Sequence, residues 1–471
     1  MKARGLTFTP VHANDPMLDN ATVQALIARY DSPVPRYTSY PTALEFVPLA
    51  DSELLNSYRR CEPGRPVSVY IHLPFCENLC LYCGCNVLLS RKIEVLDEYI
   101  PLLLAEIDAK TDILEFRPKV SQLHFGGGTP NFLRPGDWDK IFARLRERFI
   151  FTDDAEISVE LDPMYVSDDY LAHLRSLGMH RVSYGVQDVT PKVLEAVNRP
   201  QDIGRIKGVV AASRRLGFSS VNIDLIYGLP HQTLASYRAN LDFVGDIRPD
   251  RIALFSYAHV PWLKHHQKRM DAAALTQPAE KLLIYLAARE HFASLGYEQI
   301  GMDHFGLADD TLTRAFHEKT LHRNFMGYTT QKTLDMLAFG TSAIGFVSGV
   351  YMQNHLKLSG YRSAIETGKN WFEKGYVMSD EDRLRHEVIT MLMANFHVNF
   401  RAIENQFGIQ FEVHFADEMQ KFQEFAADGH GTLTNESFTA SETGSFIIRH
   451  IASVFDAYRK SGVAKAFSKA I

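Results

Sequence analysis

The stretch VSVYIHLPFCENLCLYCGCN, residues 67–86, joins a buried strand to a cluster of cysteines. Residues 67–73 are almost continuously apolar or β-branched, as in a strand that is covered on both faces of a sheet. Cys76, Cys80 and Cys83 follow at a C-x3-C-x2-C spacing. Three thiolates on one loop can bind three corners of a [4Fe–4S] cluster and leave the fourth iron open to a small molecule.

A structural zinc site and inert free cysteines are the alternatives for this loop. Zinc prefers four ligands, commonly from two separated pairs of cysteines, and the sequence has no second pair. Cys85 follows Cys83 by only two residues, so it is poorly placed to complete a tetrahedron. Because only Cys61 stands apart from the group, the cysteines indicate a metal or redox site rather than a set of disulfides.

Outward from this stretch, short strand-like runs alternate with longer helical patterns. Strands are predicted at 67–73, 120–125, 156–161, 181–186, 220–227 and 251–257. This alternation is typical of parallel strands joined by right-handed helical crossovers. We therefore expect an α/β fold, a partial (β/α)6 barrel whose lateral mouth could admit a large substrate; the alternative is an open doubly wound sheet.

Three regions are expected along the 471 residues. Residues 1–66 would form an N-terminal arm and lid that contains the extended segment PRYTSYPTALEF (35–46). Residues 67–358 would form the barrel and its extension. Residues 359–471 would form a mainly helical domain that could resemble a winged helix, with a hairpin at 429–441, and its lack of a basic stripe argues against DNA binding.

Composition excludes several classes of protein. The 50 basic and 56 acidic residues give a net charge of −6, which argues against a general binder of nucleic acid or membranes. No run of 18 apolar residues and no signal peptide is found, so we expect a cytoplasmic protein without a membrane span. No exposed apolar helix demands a partner, and a monomer is expected.

Polar residues and glycines also follow the later predicted strands. The run Gly126-Gly127-Gly128-Thr129 ends the second strand, where its N–H groups could face a charged ligand. Glu160 ends the third strand, and Gln187, Arg199 and Asp224 lie at or just beyond the fourth and fifth. Barrel active sites collect at these ends. For each charged residue, a strand-end salt bridge is the alternative.

The chain resembles the radical S-adenosylmethionine (radical SAM) enzymes and, within them, the oxygen-independent coproporphyrinogen III oxidases. The resemblance is carried by YIHLPFCENLCLYCGCN (70–86), HFGGGTP (124–130), EISVELDP (156–163), YGVQD (184–188), NRPQ (198–201), NIDLIYGLP (222–230), YAH (257–259), GMDHF (301–305) and HRNFMGYTTQ (322–331), together with the arm at 35–46. It therefore extends well beyond the cysteine loop.

The resemblance implies a [4Fe–4S] cluster held by Cys76, Cys80 and Cys83, with Cys85 as a non-ligand, and two S-adenosylmethionine molecules. The first cofactor would contact Tyr70, Gly127, Glu160 and Ile344. The second would contact Tyr82, Gly128, Thr129, Gln187, Arg199, Asp224 and Ala258.

The implied reaction removes two propionate carboxylates from coproporphyrinogen III and gives protoporphyrinogen IX, a step of haem biosynthesis. A 5′-deoxyadenosyl radical would take hydrogen from the propionate β-carbon, and a small electron-transfer protein would act as reductant. Candidate substrate residues, cationic or aromatic, are Arg36, Tyr37, Tyr40, His322 and Arg323. The alternatives are a haem-binding chaperone and a haem-degrading methyltransferase of the same superfamily.

Overall fold

The computed structural model describes residues 20–332, 335–459 and 467–469. Within these ranges the strands are β1 (Val67–Leu73), β2 (Phe75–Cys76), β3 (Leu88–Leu89), β4 (Lys119–Gly127), β5 (Ile150–Leu161), β6 (Arg181–Gln187), β7 (Ser220–Tyr227), β8 (Arg251–Ser256), β9 (Tyr297–Ile300), β10 (His304–Leu307), β11 (His322–Asn324), β12 (Gly327–Thr329), β13 (Met336–Phe339), β14 (Ile344–Val347), β15 (Val350–Gln353), β16 (Lys374–Val377), β17 (His397–Asn399), β18 (Gly431–Leu433) and β19 (Ser437–Ala440).

The helices in the same ranges are α1 (Asn20–Tyr30), α2 (Asp51–Arg59), α3 (Val95–Asp112), α4 (Pro135–Arg148), α5 (Asp168–Ser176), α6 (Pro191–Ala196), α7 (Ile203–Arg215), α8 (Leu234–Ile247), α9 (Pro278–Ser294), α10 (Thr311–His317), α11 (Leu358–Thr367), α12 (Asp380–Asn395), α13 (Phe400–Phe407), α14 (Phe411–His414), α15 (Ala416–Ala427), α16 (Glu442–Phe446) and α17 (Ile448–Ser453). No helix in these ranges is long and apolar enough to cross a bilayer.

Six parallel strands form the centre of a 12-stranded sheet, in the order β1-β4-β5-β6-β7-β8. Each new strand is added beside the previous one, without the reversal that defines a doubly wound sheet. The partial (β/α)6 barrel is thus confirmed, and all six predicted strands are present. β5 begins about six residues earlier than predicted, because its first half is polar and partly exposed and so lacks an apolar pattern.

Several crossover helices begin at a side chain that caps the first turn. Ser167, Asp202 and Thr233 each accept a hydrogen bond from a backbone N–H at the start of α5, α7 and α8. Such caps satisfy donors that have no partner inside the helix. The starts of these helices are therefore determined locally. Because the strands are parallel, the loops that lead from them into the helices lie at one end of the barrel.

The sheet is extended at both edges by strands that the sequence patterns do not predict. β13 adds in parallel beside β1, and β14, β15 and β16 continue antiparallel from it. At the other edge β10 and β9 add antiparallel to β8. β16 therefore belongs to the barrel sheet, and we propose the boundary of the C-terminal domain near Ser379 rather than at residue 359.

The C-terminal region and the N-terminal segment share one apolar core. Val23, Leu26 and Tyr30 pack with residues of α12, α13 and α17 in a cluster distinct from the barrel core. β18 and β19 form the predicted hairpin, and β17 pairs with β19. The arm is therefore fastened to the C-terminal region, while Arg36 and Thr38 also face the cavity described below.

A buried polar network joins α3 to the loop after β13. Lys110 Nζ lies 2.5 Å from Glu106 Oε1, and both side chains are 1% exposed. Glu106 also accepts hydrogen bonds from the Gly340 N–H, the Asn354 amide and the Tyr361 hydroxyl. A buried ion pair is stabilising only when such further hydrogen bonds accompany it.

Candidate active site

A cavity of about 830 Å³ extends from the carboxyl ends of the barrel strands to the first residues of β6, β7 and β8. Its wall contains the four cysteines of the 76–85 loop and most of the predicted strand-end residues. The members of the predicted set that line it are Cys76, Cys80, Tyr82, Cys83, Gly127, Gly128, Thr129, Glu160, Gln187, Arg199, Asp224, Arg36 and Arg323. Residues spread over almost 290 positions of sequence thus face one space, as expected of a barrel active site.

The cysteine loop is held in place from both sides. The Leu81 N–H donates to the Val197 carbonyl at 2.9 Å, and the Cys83 N–H donates to the Cys80 carbonyl at 3.1 Å. Arg199 Nη1 lies 3.4 Å from Cys80 Sγ, and Cys76 Sγ lies 3.3 Å from Thr129 Oγ1. Contacts with Arg199 and Thr129 thus fix the side chains of Cys80 and Cys76 at the cavity wall.

The electrostatic surroundings of the cysteines differ from one to the next. Hydrogen bonds from the Cys85 side chain and backbone lower the pKa of Cys83 to about 6, with Lys264 and Arg199 adding to this effect. Burial raises the pKa of Cys76 to about 11. The surroundings of Cys83 therefore favour its thiolate, whereas those of Cys76 favour its thiol.

The donor set of this loop fits a multinuclear cluster. Three thiols line one wall of the cavity, yet no group of three or more His, Cys, Asp or Glu side chains within 20–332, 335–459 and 467–469 converges on one metal ion. In a cubane cluster each cysteine binds a different iron, so the sulfurs need not meet at one point. The residues present fit a [4Fe–4S] cluster better than a mononuclear zinc site.

Close packing requires glycine at positions 127 and 128, at the end of β4 and just after it. A Cβ atom on Gly127, whose φ is +114°, would lie 2.5 Å from His72 Cε1, and one on Gly128 would lie 2.6 Å from the Pro74 carbonyl carbon. The expectation that these N–H groups face a ligand is wrong for two of them. The N–H groups of Gly128 and Thr129 donate to the carbonyls of Leu73 and Phe75, which fastens the glycine turn to the cysteine loop.

Glu160 faces the cavity from the end of β5. Its carboxylate lies 3.2 Å from His124 Nε2 and accepts a hydrogen bond from the Gly127 N–H at 3.4 Å. Burial acts to raise the pKa of Glu160, but the contacts with His124 and Gly127 outweigh it and lower the pKa. The half-exposed carboxylate is therefore an anion that can accept from an ammonium group or from hydroxyls.

Arg199 spans the space between the cysteine loop and β6. Its guanidinium donates to the Gly185 carbonyl at 2.6 Å and pairs with Asp162 at 3.2 Å. Its buried Nε atom has no hydrogen-bond partner among the described residues. A buried donor is costly unless a partner satisfies it, so this atom is consistent with a bound polar ligand.

Asp224 lies within β7, three residues before its last residue, and faces the cavity. It accepts hydrogen bonds from the Asn222 amide at 2.8 Å and from the Ser183 hydroxyl at 3.2 Å. Burial, together with the charge of Glu160, raises the pKa of Asp224 from 3.8 to about 6. At neutral pH the apoprotein therefore holds a second, unfavourable negative charge in the cavity.

We expect Asp224→Asn to stabilise the apoprotein at pH 7.5. The pKa of Asp224 is higher in the folded than in the unfolded protein. Its protonated form therefore contributes stability that is fully present below about pH 4 and is lost as the pH rises through about 6. The variant should gain about 1–3 kcal/mol in free energy of unfolding at pH 7.5 and lose the wild-type rise in stability from pH 7 to pH 5. Urea unfolding at several pH values measures the free energy of unfolding of the wild type and the variant. If the two free energies changed in parallel with pH, the raised pKa of Asp224 would be contradicted.

Some predicted residues lie elsewhere. Tyr70 stacks on His124 at 6.1 Å, beside the cavity wall, and Ala258 lines a second cavity of about 70 Å³. Ile344 packs in the apolar cluster of Phe46 and Tyr351. These three positions do not border the main cavity.

The structure places three of the five substrate candidates outside the lining of the main cavity. Tyr37 donates to Asp456 at 2.9 Å and Tyr40 accepts from the Ala457 N–H at 3.1 Å, so both are buried against the C-terminal region. Burial and Lys332 lower the pKa of His322 to about 4, so it is neutral at pH 7 and does not line the cavity. Arg36 and Arg323 remain.

Sequence reasoning missed residues that the fold brings into the wall. His124, Asp303 and His304 all border the cavity. The last two belong to the GMDHF stretch, which was noted only as a point of resemblance. The motif contains both residues, but their position in the cavity wall depends on the pairing of β10 with β8 in the sheet.

Comparisons with known proteins agree with this geometry. The radical SAM superfamily matches residues 70–244. Oxygen-independent coproporphyrinogen III oxidase of Salmonella typhimurium (strain LT2) is 41% identical over 95% of this chain and 98% of the relative. The Escherichia coli (strain K12) oxidase is 40% identical over the same shares of both chains.

A solved structure gives the same result in three dimensions. Coproporphyrinogen III oxidase (HemN) from Escherichia coli, described as a radical SAM enzyme, superposes with a TM-score of 0.87 at 39% identity. The match covers 92% of this chain and 98% of the other. The likeness thus extends over the arm, barrel and C-terminal region together, and the chain belongs to the oxygen-independent coproporphyrinogen III oxidases of the radical SAM superfamily.

Proposed function

We propose that this enzyme removes two propionate carboxylates from coproporphyrinogen III and leaves vinyl groups, giving protoporphyrinogen IX without oxygen. For each vinyl group, one hydrogen atom and one CO₂ leave the side chain and one electron passes to an acceptor. The observation that carries the proposal is the meeting of the cysteine loop, Glu160, Arg199 and Asp224 in one cavity. The full-length similarity to oxidases supports this reading over a haem chaperone or a haem-degrading methyltransferase.

Membership of the family implies a [4Fe–4S] cluster and S-adenosylmethionine. We infer that Cys76, Cys80 and Cys83 hold the cluster, and that Cys85 does not. When bound, the cluster and its cofactor supply the one-electron chemistry that activates an unreactive C–H bond, which no side-chain base could do. The chain itself binds, orients and shields the reactants.

Glu160 is suited to the ammonium group or the ribose hydroxyls of the S-adenosylmethionine bound at the cluster. Arg199 is suited to the carboxylate of the second molecule, and the Asp162 contact holds its guanidinium in place. The Glu160 contact would help to fix the first molecule relative to the cysteine loop, so that the reacting bond is presented in one orientation.

A second S-adenosylmethionine site is part of the proposal. Gln187 at the end of β6, Asp224 within the neighbouring strand β7 and Arg199 in the loop before α7 all face the cavity, and Tyr82 offers an aromatic face beside Cys83. An ammonium group near Asp224 would offset the charge that burial makes unfavourable there. The proposal also includes Ala258, which lines the smaller cavity.

Further parts of the proposal concern partners and setting. A small electron-transfer protein would supply the reducing electron, and the enzyme would work as a cytoplasmic monomer. Sedimentation of the holoenzyme at micromolar concentration checks the last point.

Anaerobic incubation of the reconstituted enzyme with S-adenosylmethionine, a reductant and coproporphyrinogen III tests the function. We expect 5′-deoxyadenosine and protoporphyrinogen IX to form together, with CO₂ released. The control replaces the substrate by coproporphyrinogen III tetramethyl ester, which has no free carboxylate to lose. 5′-Deoxyadenosine without any decarboxylated tetrapyrrole would reject the assigned substrate.

A further inference from the structure

A second polar group lies in the cavity wall at the β8–β10 side, and its residues come from three separate segments. Arg36 Nη2 donates to Asp303 Oδ2 at 2.9 Å, and His304 Nδ1 lies 2.8 Å from Asp303 Oδ1. Arg323 Nη1 donates to the Arg36 carbonyl at 2.7 Å. All four residues line the main cavity. Asp303 therefore links one guanidinium and one imidazole in the wall.

Aromatic rings hold these groups in fixed orientations. The His304 ring meets the edges of Tyr328 and Phe255, with ring centroids 5.1 and 5.8 Å away. The Arg323 guanidinium lies 5.4 Å from the centre of the Tyr328 ring. Tyr328 is itself fixed, because its hydroxyl accepts from the Met302 N–H at 2.9 Å. A site ordered before binding loses less entropy on binding.

This region carries more positive than negative charge. Asp303 is an anion, since burial acts to raise its pKa but His304, Arg36 and Arg323 hold the pKa well below its usual value. Behind Arg36 lies Arg449, which lines the smaller cavity with Arg36 and Asp303. Burial and the charges of Arg36 and Arg323 lower the pKa of Arg449 to about 9. In the main cavity the guanidinium groups of Arg36 and Arg323 thus outnumber the one carboxylate of this group, an arrangement that attracts anions.

The location separates this group from the cysteine loop. The loop follows β1, whereas His304 lies on β10, and five strands stand between them in the sheet. A side chain that reacts must lie beside the cluster and its cofactor. A carboxylate bound near Arg36 and Arg323 therefore belongs to another arm of the same substrate.

We propose that Arg36 and Arg323, oriented by Asp303 and His304, form a subsite for a non-reacting propionate carboxylate of the tetrapyrrole. This inference rests on the proposed function, because that function supplies a substrate with four carboxylates. The subsite fixes the position of the macrocycle and determines which propionate reaches the cysteine loop. Asp303 and His304 are positioning residues, and the guanidinium groups make the ionic contact.

Equilibrium binding to the intact holoenzyme tests the subsite independently of turnover. The probes are coproporphyrin III, the fluorescent oxidised form with four carboxylates, and its neutral tetramethyl ester. Arg323→Gln should weaken binding of the acid at least about tenfold and leave binding of the ester within about twofold. Arg323→Lys should restore part of the loss. Arg144→Gln, which removes a partly buried arginine paired with Asp108 outside the cavity, is the matched control.

Turnover gives a second readout. In Arg323→Gln the KM for coproporphyrinogen III should rise at least about tenfold while kcat stays within a few-fold. If Arg323→Gln weakened binding of the acid and the ester equally, or left binding of the acid unchanged, the subsite would be overturned. The proposed function would still stand if the wild-type enzyme produced protoporphyrinogen IX. A wild type that neither binds coproporphyrin III nor converts the porphyrinogen would overturn both.

Discussion

Cys83→Ser is expected to abolish formation of both 5′-deoxyadenosine and protoporphyrinogen IX. A serine hydroxyl is a poor replacement for a thiolate at an iron–sulfur cluster, because the thiolate is the form that binds the metal. Hydrogen bonds from Cys85 lower the pKa of Cys83 and so favour this form. Iron and acid-labile sulfide after anaerobic reconstitution, with the EPR spectrum of the reduced protein, measure the loss of the cluster directly.

Cys85→Ser is the matched control for that change. Cys85 lies two residues away and faces the same cavity, and its backbone N–H lies 3.4 Å from Cys83 Sγ. We expect this variant to keep full iron and sulfide content. A Cys85→Ser protein without a cluster would show that the ligand set has been assigned incorrectly.

Lys110→Met is expected to cause the largest loss of stability among single changes outside the cavity. The lysine donates to Glu106, to the Ala338 carbonyl at 3.0 Å and to Asn354 at 3.1 Å, all without access to water. Methionine fills similar volume but leaves the Glu106 carboxylate buried without its cation. Removing one partner of a buried pair costs about 3–5 kcal/mol, which denaturant unfolding of the apoprotein measures.

Lys207→Met provides the comparison on the surface. Lys207 pairs with Asp246 at 2.8 Å, but both side chains are about half exposed. Water and salt screen such a pair, so its removal should cost less than about 1 kcal/mol. Similar losses in the two variants would contradict the role given to the buried network.

The barrel could be predicted because its determinants are local. Most parallel strands show a periodic or nearly continuous apolar pattern in the sequence, as at residues 220–227, where Val221, Ile223 and Leu225 are buried at every second position. The edge strands β9, β10 and β14–β16 are only four residues long, too short for a periodic pattern. Sequence patterns therefore do not show that β16 belongs to the barrel sheet, since only its pairing with β15 reveals this.

Site residues that lie together in one short segment could be predicted from the sequence, whereas residues that the fold brings together from several segments could not. The spacing of Cys76, Cys80 and Cys83 determines by itself that three sulfurs lie on one loop after β1, because a few covalent links limit how far apart they can be. Arg36, Asp303 and Arg323 meet only because the arm packs on the C-terminal core and β10 joins β8. Tyr37, one residue from Arg36, is turned into that core and away from the cavity. Tertiary packing alone decides such differences, since the direction of a side chain in an irregular segment follows from the contacts around it.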